Sequence, residues 1–260
     1  MSVRSPDVGS SYDKRMLCDP RLAEYYDGSY FFNFGYWTEQ TSTQKEACQN
    51  LIEKLLAYPP EKGGSILDVA CGMGATTKYL LKYYKCSEVI GINISYKQLA
   101  ISRVNAPGCT FLLMDAAKLG FKDNVFDTVM CVEAAFHFDT REDFLREAYR
   151  ALKPSGHLVL SDILLRKWGC KWHPMTPEKN YVRDLKEYRD LYLRTGFQHV
   201  EVFDATKQCW KGFYNHLWRW RREKFSAGEI KLPAYIKMIL RNLLANAGLK
   251  CYLLVSAKKL

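Results

Sequence analysis

The sequence has no run of apolar residues as long as a membrane span, which argues against an integral membrane protein. Its first residues, MSVRSPDVGSSYDKR, lack the apolar core of a secretory signal, so we expect a cytoplasmic protein. It also has no C-x-x-C pair. The nine cysteines are scattered and odd in number, which favours reduced thiols over a disulfide framework and argues against any bound metal.

Acidic residues are fewer than basic ones: the sequence has 28 Asp and Glu against 38 Lys and Arg, which gives a formal net charge of +10. Such an excess suits nucleic acid, a membrane surface, an acidic substrate or simple solubility. Aromatic and basic residues interleave mainly in 210–224, WKGFYNHLWRWRREK. Their near-helical spacing favours an amphipathic helix that covers a core or pocket over one that contacts nucleic acid or lipid. The predicted apolar face comprises Trp210, Phe213, Tyr214, Leu217, Trp218 and Phe225.

Short apolar runs separated by turns and helical patterns fill the middle of the chain. Because neither face of these runs is polar, they predict parallel strands buried by crossover helices. Two later runs, QHVEVFD and CYLLVSAKK, bring the total to about seven. The prediction is an α/β fold with a doubly wound, mostly parallel seven-stranded sheet. The earlier runs are SILDVA (65–70), EVIGIN (88–93), CTFLLM (109–114), DTVMCV (127–132) and, after a break at KPSG, HLVLSD (157–162).

No Ser/Gly-rich linker, repeat or low-complexity stretch marks a second independent domain. The stretch EYYDGSYFFNFGYW, residues 24–37, is too aromatic for a disordered tail, and a helix is expected over 43–57. We therefore expect elaborations that act as a lid on one core. The predicted parts are an aromatic N-terminal lid (1–42), the cofactor-binding core (43–206), a helical cap over an acceptor pocket (207–249) and the final core strand (250–260).

A glycine loop follows the first predicted strand, in DVACGMGATT. Gly72 and Gly74 let the backbone turn tightly and approach a ligand at the start of the next helix. Thr77 replaces the third glycine of a dinucleotide fingerprint, and there is no G-K-S/T sequence, so phosphate binding has little support. Asp68 would repel a phosphate and attract a cation. The loop therefore suits a positively charged cofactor.

Polar residues follow each of the next three strands, and ligands in such sheets lie across these strand ends. Asn93 and Gln98 can hydrogen-bond ribose hydroxyls, and Asp115 with Ala116 can accept a hydrogen bond from an adenine amine. The fourth strand ends at Glu133. Their order along successive strands favours a cofactor that has an adenosine part and a cationic tail.

In combination, these motifs resemble those of class I S-adenosylmethionine-dependent methyltransferases, which implies their Rossmann-like fold. The resembling segments are LDVACGMGATT, GINIS, LLMDAAKLGF, FDTVMCVEAAFHF and LREAYRALKPSGHLVLSD, over about residues 60–165. The chain is most similar to the small-molecule branch that includes natural-product tailoring O-methyltransferases and sterol-type C-methyltransferases. Members of that branch carry an aromatic N-terminal segment ending in GYW, as EYYDGSYFFNFGYW does here.

The resemblance implies S-adenosyl-L-methionine as cofactor. It assigns Asp68, Gly72 and Gly74 to the methionine end, Asn93 and Gln98 to the ribose, Asp115 and Ala116 to adenine, and Glu133 to the side of the loop. Tyr26 of the aromatic segment is a further candidate, because its ring could contact the sulfonium. The family often has an acidic residue where this chain has Asn93, and an amide forms no charge-assisted bond to a ribose.

The stretch CVEAAFHFDTR places His137 four residues after Glu133, at the sheet edge where methyl donor and acceptor should meet. In the resembling O-methyltransferases a histidine there acts as general base, and an aspartate at the end of the fifth strand orients it. That aspartate would be Asp162. An imidazole with a pKa near 6.5 is suited to deprotonating a hydroxyl. The other histidines, at 157, 173, 199 and 216, are expected in strand or cap positions.

The preferred hypothesis is O-methylation of a small, largely apolar metabolite, and several alternatives stay open. They are C-methylation of a terpenoid or sterol-like alkene, N-methylation, and a non-catalytic binding protein. A nucleic-acid substrate is disfavoured, because there is no N/D-P-P-Y/F motif and no appended recognition domain. Stable membrane insertion is not expected, and a homo-oligomer is possible.

Overall fold

A computed structural model describes residues 8–172 and 176–260 of the 260-residue chain. Its centre is a seven-stranded sheet with strands in the order β3-β2-β1-β4-β5-β7-β6. All pairs are parallel except those of β7, which runs antiparallel to both neighbours. The strands are β1 (Ile66–Val69), β2 (Val89–Asn93), β3 (Thr110–Leu113), β4 (Phe126–Val132), β5 (Leu152–Leu165), β6 (Gln198–Asp204) and β7 (Leu249–Lys258). The predicted sheet is confirmed.

Ten helices occur within the described residues, most of them packed on the two faces of the sheet. They are α1 (Val8–Cys18), α2 (Pro20–Tyr25), α3 (Gln44–Leu56), α4 (Ala75–Leu80), α5 (Tyr96–Asn105), α6 (Arg141–Ala151), α7 (Lys167–Trp172), α8 (Leu185–Arg194), α9 (Gly212–Ser226) and α10 (Leu232–Gly248). A π-helical turn, Thr206–Lys211, leads into α9. The side chains of residues 15–18 and 171–172 lie outside the description.

The central strands of the sheet are largely buried on both faces, as the sequence pattern indicates. Every residue of β1 is buried, and helices cover it from both sides. The fifth strand differs from its predicted bounds, because β5 begins at Leu152 instead of after the KPSG stretch. The pairing of β5 with β4 shifts register between Phe126 and Thr128, and Ser155 adopts a φ of 64°. The KPSG residues, which suggested a break before the strand, therefore lie within β5 at a bulge.

The aromatic N-terminal segment packs on the start of α9 rather than lying apart from it. The rings of Phe34 and Phe213 stack with centroids 4.3 Å apart, and the Trp37 amide donates to the carbonyl of Gln208. Gly35 has a φ of 75° and lies so close to α3 that a Cβ would come within 2.5 Å of Ala47. Of the predicted 1–42 segment, residues 1–7 lie outside the description.

The Trp-rich stretch forms the predicted helix, with one error in its apolar face. Trp210, Phe213 and Leu217 are buried, whereas Trp218 is 44% exposed with the Arg222 guanidinium over its ring. The next helix, α10, carries a row of exposed apolar side chains. Throughout the described chain, no helix combines the length and the apolar character needed to cross a membrane.

Candidate active site

The glycine loop between β1 and α4 has the tight backbone that the sequence predicts. Gly72 and Gly74 take φ values of 56° and 82°, and Gly74 caps the N-terminus of α4. A Cβ on Gly74 would lie 2.9 Å from the Cα of Ser102 on α5, so the loop also needs glycine for close packing. The Ser102 hydroxyl donates to the carbonyl of Gly72 over 2.9 Å, which fixes the loop from below.

Asp68 lies under this loop, buried in β1. Its Oδ2 accepts a hydrogen bond of 2.6 Å from the hydroxyl of Thr77. Thr77 therefore has a structural reason to stand where a dinucleotide fingerprint has glycine. Burial raises the pKa of Asp68 to about 7, because the bonds from Thr77 offset only part of the desolvation.

Asn93 and Gln98, the residues expected at the ribose, hydrogen-bond to each other. The Asn93 amide donates to Gln98 Oε1 over 2.9 Å and to the Gly72 carbonyl over 3.3 Å. Its Oδ1 accepts from the backbone N–H of Ser95. Both side chains are buried. The structure places them beside the loop, where they support its backbone.

Asp13 of α1 also reaches this position, and sequence reasoning missed it. Its Oδ1 accepts hydrogen bonds from Ser95 Oγ at 2.7 Å and from Gln98 Nε2 at 2.8 Å. The chain thus has a carboxylate next to the end of β2, supplied by a helix far away in sequence. No local pattern around Asp13 indicates this contact.

Asp115 and Ala116 follow β3 at the same edge of the sheet. Asp115 is exposed, and its Oδ1 accepts from the backbone N–H of Ala117 at 2.9 Å. Ala116 is buried. The backbone N–H of Met114 donates to the carbonyl of Asn93, which joins this turn to the end of β2.

Glu133 connects the end of β4 to the aromatic segment and to β7. Its Oε1 accepts hydrogen bonds from the Phe34 N–H at 2.7 Å and from the Tyr252 hydroxyl at 2.6 Å. Its carboxyl group is buried, which raises its pKa to about 8. The backbone of Glu133 has a φ of 51°, an unusual value for a residue with a side chain.

Tyr26 is buried within the aromatic segment at the C-terminus of α2. Its hydroxyl donates to the carbonyl of Asn33 over 3.1 Å, and its ring stacks on Phe32. Burial raises the pKa of this hydroxyl well above its usual range. The structure thus gives Tyr26 a bracing contact within its own segment.

His137 ends a short 3-10 turn, Ala135–His137, directly after β4. Its Nε2 lies 2.7 Å from the hydroxyl of Tyr12 on α1, and the two rings meet edge to face. Tyr12 also contacts the ring of Phe32 in the same way. A second α1 residue therefore reaches the site, and no sequence pattern indicates that it should. His173, the histidine of KWHP, lies outside the described residues.

The structure gives Asp162 other partners than His137. Its buried carboxylate accepts from Arg141 Nε at 2.7 Å and from the Tyr188 hydroxyl at 2.9 Å. Its second oxygen accepts from Arg141 Nη2 and from the Ile163 N–H. Within residues 8–172 and 176–260, these are the hydrogen bonds that the Asp162 carboxylate makes.

A chain of contacts nonetheless leads from Asp162 to the turn that carries His137. Arg141 donates to the carbonyl of Asn180, and its backbone N–H donates to Asn180 Oδ1. The Asn180 amide donates to the carbonyls of Phe136 and Phe138, on either side of His137. Asp162, Arg141 and Asn180 thereby fix the backbone of this turn.

The methyltransferase domain family matches residues 67–160, which run from β1 into β5 and include the glycine loop. The chain is 27% identical to erythromycin 3''-O-methyltransferase of Saccharopolyspora erythraea, over 86% of its own length and 79% of that protein's. It is 30% identical to 27-O-demethylrifamycin SV methyltransferase of Amycolatopsis mediterranei, over 61% and 59%. It is 32% identical to 2-methyl-6-phytyl-1,4-hydroquinone methyltransferase of a Synechocystis species, over 76% and 63%. The last two matches span less than two thirds of those relatives.

The domain match and these relatives support a class I S-adenosylmethionine-dependent small-molecule methyltransferase. Solved structures show the same fold. A geranyl diphosphate C-methyltransferase from Streptomyces coelicolor has a TM-score of 0.71 at 15% identity, covering 97% of both chains. The cyclopropane synthase MmaA2 from Mycobacterium tuberculosis has a TM-score of 0.72 at 18% identity, covering 97% of this chain and all of that one.

The site residues of this methyltransferase fit S-adenosylmethionine. The glycine loop turns tightly at the start of α4, and the acidic side chains around it suit a cofactor that carries ammonium and sulfonium charges. The carboxylates at this edge of the sheet belong to Asp13, Asp68, Asp115 and Glu133. No group of three His, Cys, Asp or Glu side chains suited to a metal ion occurs among the described residues.

Proposed function

We propose that this methyltransferase O-methylates a hydroxyl group of a small, largely apolar metabolite, with His137 as general base. One observation carries the proposal: a hydroxyl oxygen, that of Tyr12, lies 2.7 Å from His137 Nε2. A base must approach the proton that it removes to about 2.6–3.2 Å between heavy atoms. The imidazole therefore accommodates a hydroxyl in the geometry that the reaction needs, and an acceptor would take the place of the Tyr12 hydroxyl.

S-adenosylmethionine, when bound, supplies an electrophilic methyl group, and the protein must align and activate the acceptor. Gly72, Gly74 and Asp68 would hold the methionine end, and Asp115 with Ala116 the adenine. His137 would take the proton of the acceptor hydroxyl as its oxygen bonds to the methyl carbon, and the carbon–sulfur bond that breaks would leave S-adenosylhomocysteine as the second product. The imidazolium would then lose that proton to solvent when the product leaves.

Asp162 acts in this proposal as a positioning residue. It holds Arg141, which with Asn180 fixes the carbonyls on either side of His137. The turn is rigid because its backbone is tied at both flanks by buried hydrogen bonds. Asp162 would thus set the location of the imidazole through the backbone, whereas the sequence suggested a direct bond to the ring.

The aromatic surroundings support an apolar acceptor. The ring of His137 contacts those of Phe136 and Tyr12, and the ring of Tyr12 also contacts that of Phe32. We assign residues 8–42 to a lid and α9 with α10 to a cap, since Phe34 and Phe213 join the two. Several similar proteins are named as O-methyltransferases, one of them acting on erythromycin. A reducing cytoplasm suits the eight free cysteines whose side chains are described.

C-methylation of an alkene is the second candidate, and Glu133 favours it. Its carboxyl group, whose pKa burial raises to about 8, adjoins Phe34 and Tyr252 beside the rings of Trp210 and Tyr214. Aromatic faces stabilise a developing carbocation, and a carboxylate can remove the proton that follows. N-methylation needs no such base, because a neutral amine already presents its lone pair.

The test is a set of matched acceptors that share one apolar aromatic skeleton and end in a hydroxyl, an amine or an alkene. Each is incubated with methyl-labelled S-adenosylmethionine, and mass spectrometry locates the label. We expect label on oxygen, and a loss of about 10²–10⁴-fold in His137→Ala. The exposed His199→Ala is the control and should stay within about twofold of the wild type. Label on carbon or nitrogen, with His137→Ala unimpaired, would refute the proposal.

A further inference from the structure

We propose that Asp13 on helix α1 supplies the carboxylate that binds the ribose hydroxyls of the cofactor, in place of an acidic residue at the end of β2. In doubly wound folds an acidic side chain near the end of the second strand accepts hydrogen bonds from a ribose. Here Asn93 ends β2, and Asp13 lies against the same turn. The inference concerns the cofactor alone and does not depend on which atom receives the methyl group.

The contacts of Asp13 place its carboxylate at the expected point. Oδ1 accepts from Ser95 Oγ at 2.7 Å and from Gln98 Nε2 at 2.8 Å, and these residues begin α5 directly after β2. Ser95 and Gln98 are both buried, so they form a defined seat for the carboxylate. Ser95 and Gln98 also connect Asp13 to Asn93 and hence to Gly72 of the glycine loop.

The amide oxygens of Asn93 and Gln98 each already accept a hydrogen bond from the protein. Asn93 Oδ1 accepts from the Ser95 N–H, and Gln98 Oε1 accepts from the Asn93 amide. By contrast, Oδ2 of Asp13 accepts no hydrogen bond from any described residue. The turn after β2 therefore offers a ribose hydroxyl one free anionic acceptor, and it belongs to α1.

Charge strengthens this assignment. Among the described residues, no salt bridge includes Asp13, so a neutral ligand hydroxyl would meet an uncompensated carboxylate. Hydrogen bonds to an ionised acceptor are shorter and stronger than those to an amide oxygen. Asp13 thereby restores the charge-assisted bond that Asn93 cannot make.

The test is calorimetric titration of the full-length protein with S-adenosylhomocysteine and with its 2′-deoxy and 3′-deoxy analogues. The variants are Asp13→Asn, which keeps the size of the side chain, and the control Lys14→Gln on the exposed side of the same helix. We expect Asp13→Asn to raise the Kd of S-adenosylhomocysteine by about 10- to 100-fold. Lys14→Gln should stay within about twofold of the wild type.

The deoxy analogues separate a ribose contact from a general loosening of α1. If Asp13 binds a ribose hydroxyl, the analogue that lacks this hydroxyl should bind wild type and Asp13→Asn with nearly equal affinity. An equal loss of affinity for all three ligands would overturn the proposal, because Asp13 would then only anchor the helix. Unchanged or tighter binding of S-adenosylhomocysteine by Asp13→Asn would overturn it too, since the carboxylate would then block the site.

Discussion

Three buried carboxyl groups near the strand ends differ in the partners that offset their loss of solvation. Asp162 faces a guanidinium, Asp68 faces a hydroxyl, and Glu133 faces an amide and a phenol. Neutral donors offset only part of the desolvation of a buried carboxyl group. Burial accordingly raises the pKa of Asp68 to about 7 and that of Glu133 to about 8.

Replacing Asp162 by Asn should destabilise the protein strongly. The change leaves Arg141 buried without its counter-charge, and removing one partner of a buried pair costs about 3–5 kcal/mol. Urea unfolding would measure the loss of free energy. As a control, Asp190→Asn removes the exposed pair with Lys186 and should leave the free energy of unfolding nearly unchanged. Equal losses in the two variants would contradict the structural role given to Asp162.

Because folding raises the pKa of Glu133, we expect the free energy of unfolding to fall as the pH rises. Its pKa is raised from 4.5 to about 8 on folding, so the folded state binds more protons than the unfolded state between these values. Stability from this group is therefore complete below about pH 4.5 and is lost as the pH rises through 8, with a slope of up to about 1.4 kcal/mol per pH unit. Urea unfolding at several pH values should show a shallower fall in Glu133→Gln. An unchanged slope would mean that the carboxyl group is not protonated in the folded protein.

At the scale of elements, the loop between β1 and α4 combines unusual backbone geometry with the proposed cofactor site. Gly74 combines a φ of 82° with a close approach to α5. Gly228, between α9 and α10, has a similar φ of 76°, but a Cβ at this residue would meet no atom within 4 Å. Comparing substitutions at Gly74 and Gly228 therefore distinguishes the effect of steric crowding from the effect of backbone strain.

We expect Gly74→Ala to weaken S-adenosylhomocysteine binding by at least about tenfold and to lower stability, because Ser102 must move away from the new methyl group. Gly228→Ala should cost about 1 kcal/mol of strain and leave the affinity unchanged. Calorimetric titration and urea unfolding of both variants provide the comparison. Normal affinity in Gly74→Ala would show that the loop does not hold the cofactor.

The strands and the glycine loop are predictable from sequence because their signals are local. Apolar runs mark β1 to β4, and paired glycines mark the turn after β1. The contacts of Asp13 and of Asp162 are not local: 82 residues separate Asp13 from Ser95, and 21 separate Arg141 from Asp162. Which side chain completes such a pair depends on how α1 and α6 pack, and that is settled by tertiary structure.

At the scale of the whole molecule, the sheet order brings the ends of β1, β2, β3 and β4 to one edge. Helix α1 lies across this edge, since its neighbouring residues Tyr12 and Asp13 reach His137 and the turn after β2. The same helix thus contacts both the proposed base and the proposed ribose site. An acceptor that displaces the Tyr12 hydroxyl would act on the helix that also carries Asp13.

The most direct test of the account is the pH dependence of methyl transfer to a hydroxyl acceptor, measured in wild type and in His137→Ala. With His137 as base, the wild-type rate should rise with pH as the imidazole loses its proton and then level off. His137→Ala should be slower by about 10²–10⁴-fold and should lack this inflection. Equal rates and the same inflection in both proteins would contradict the account.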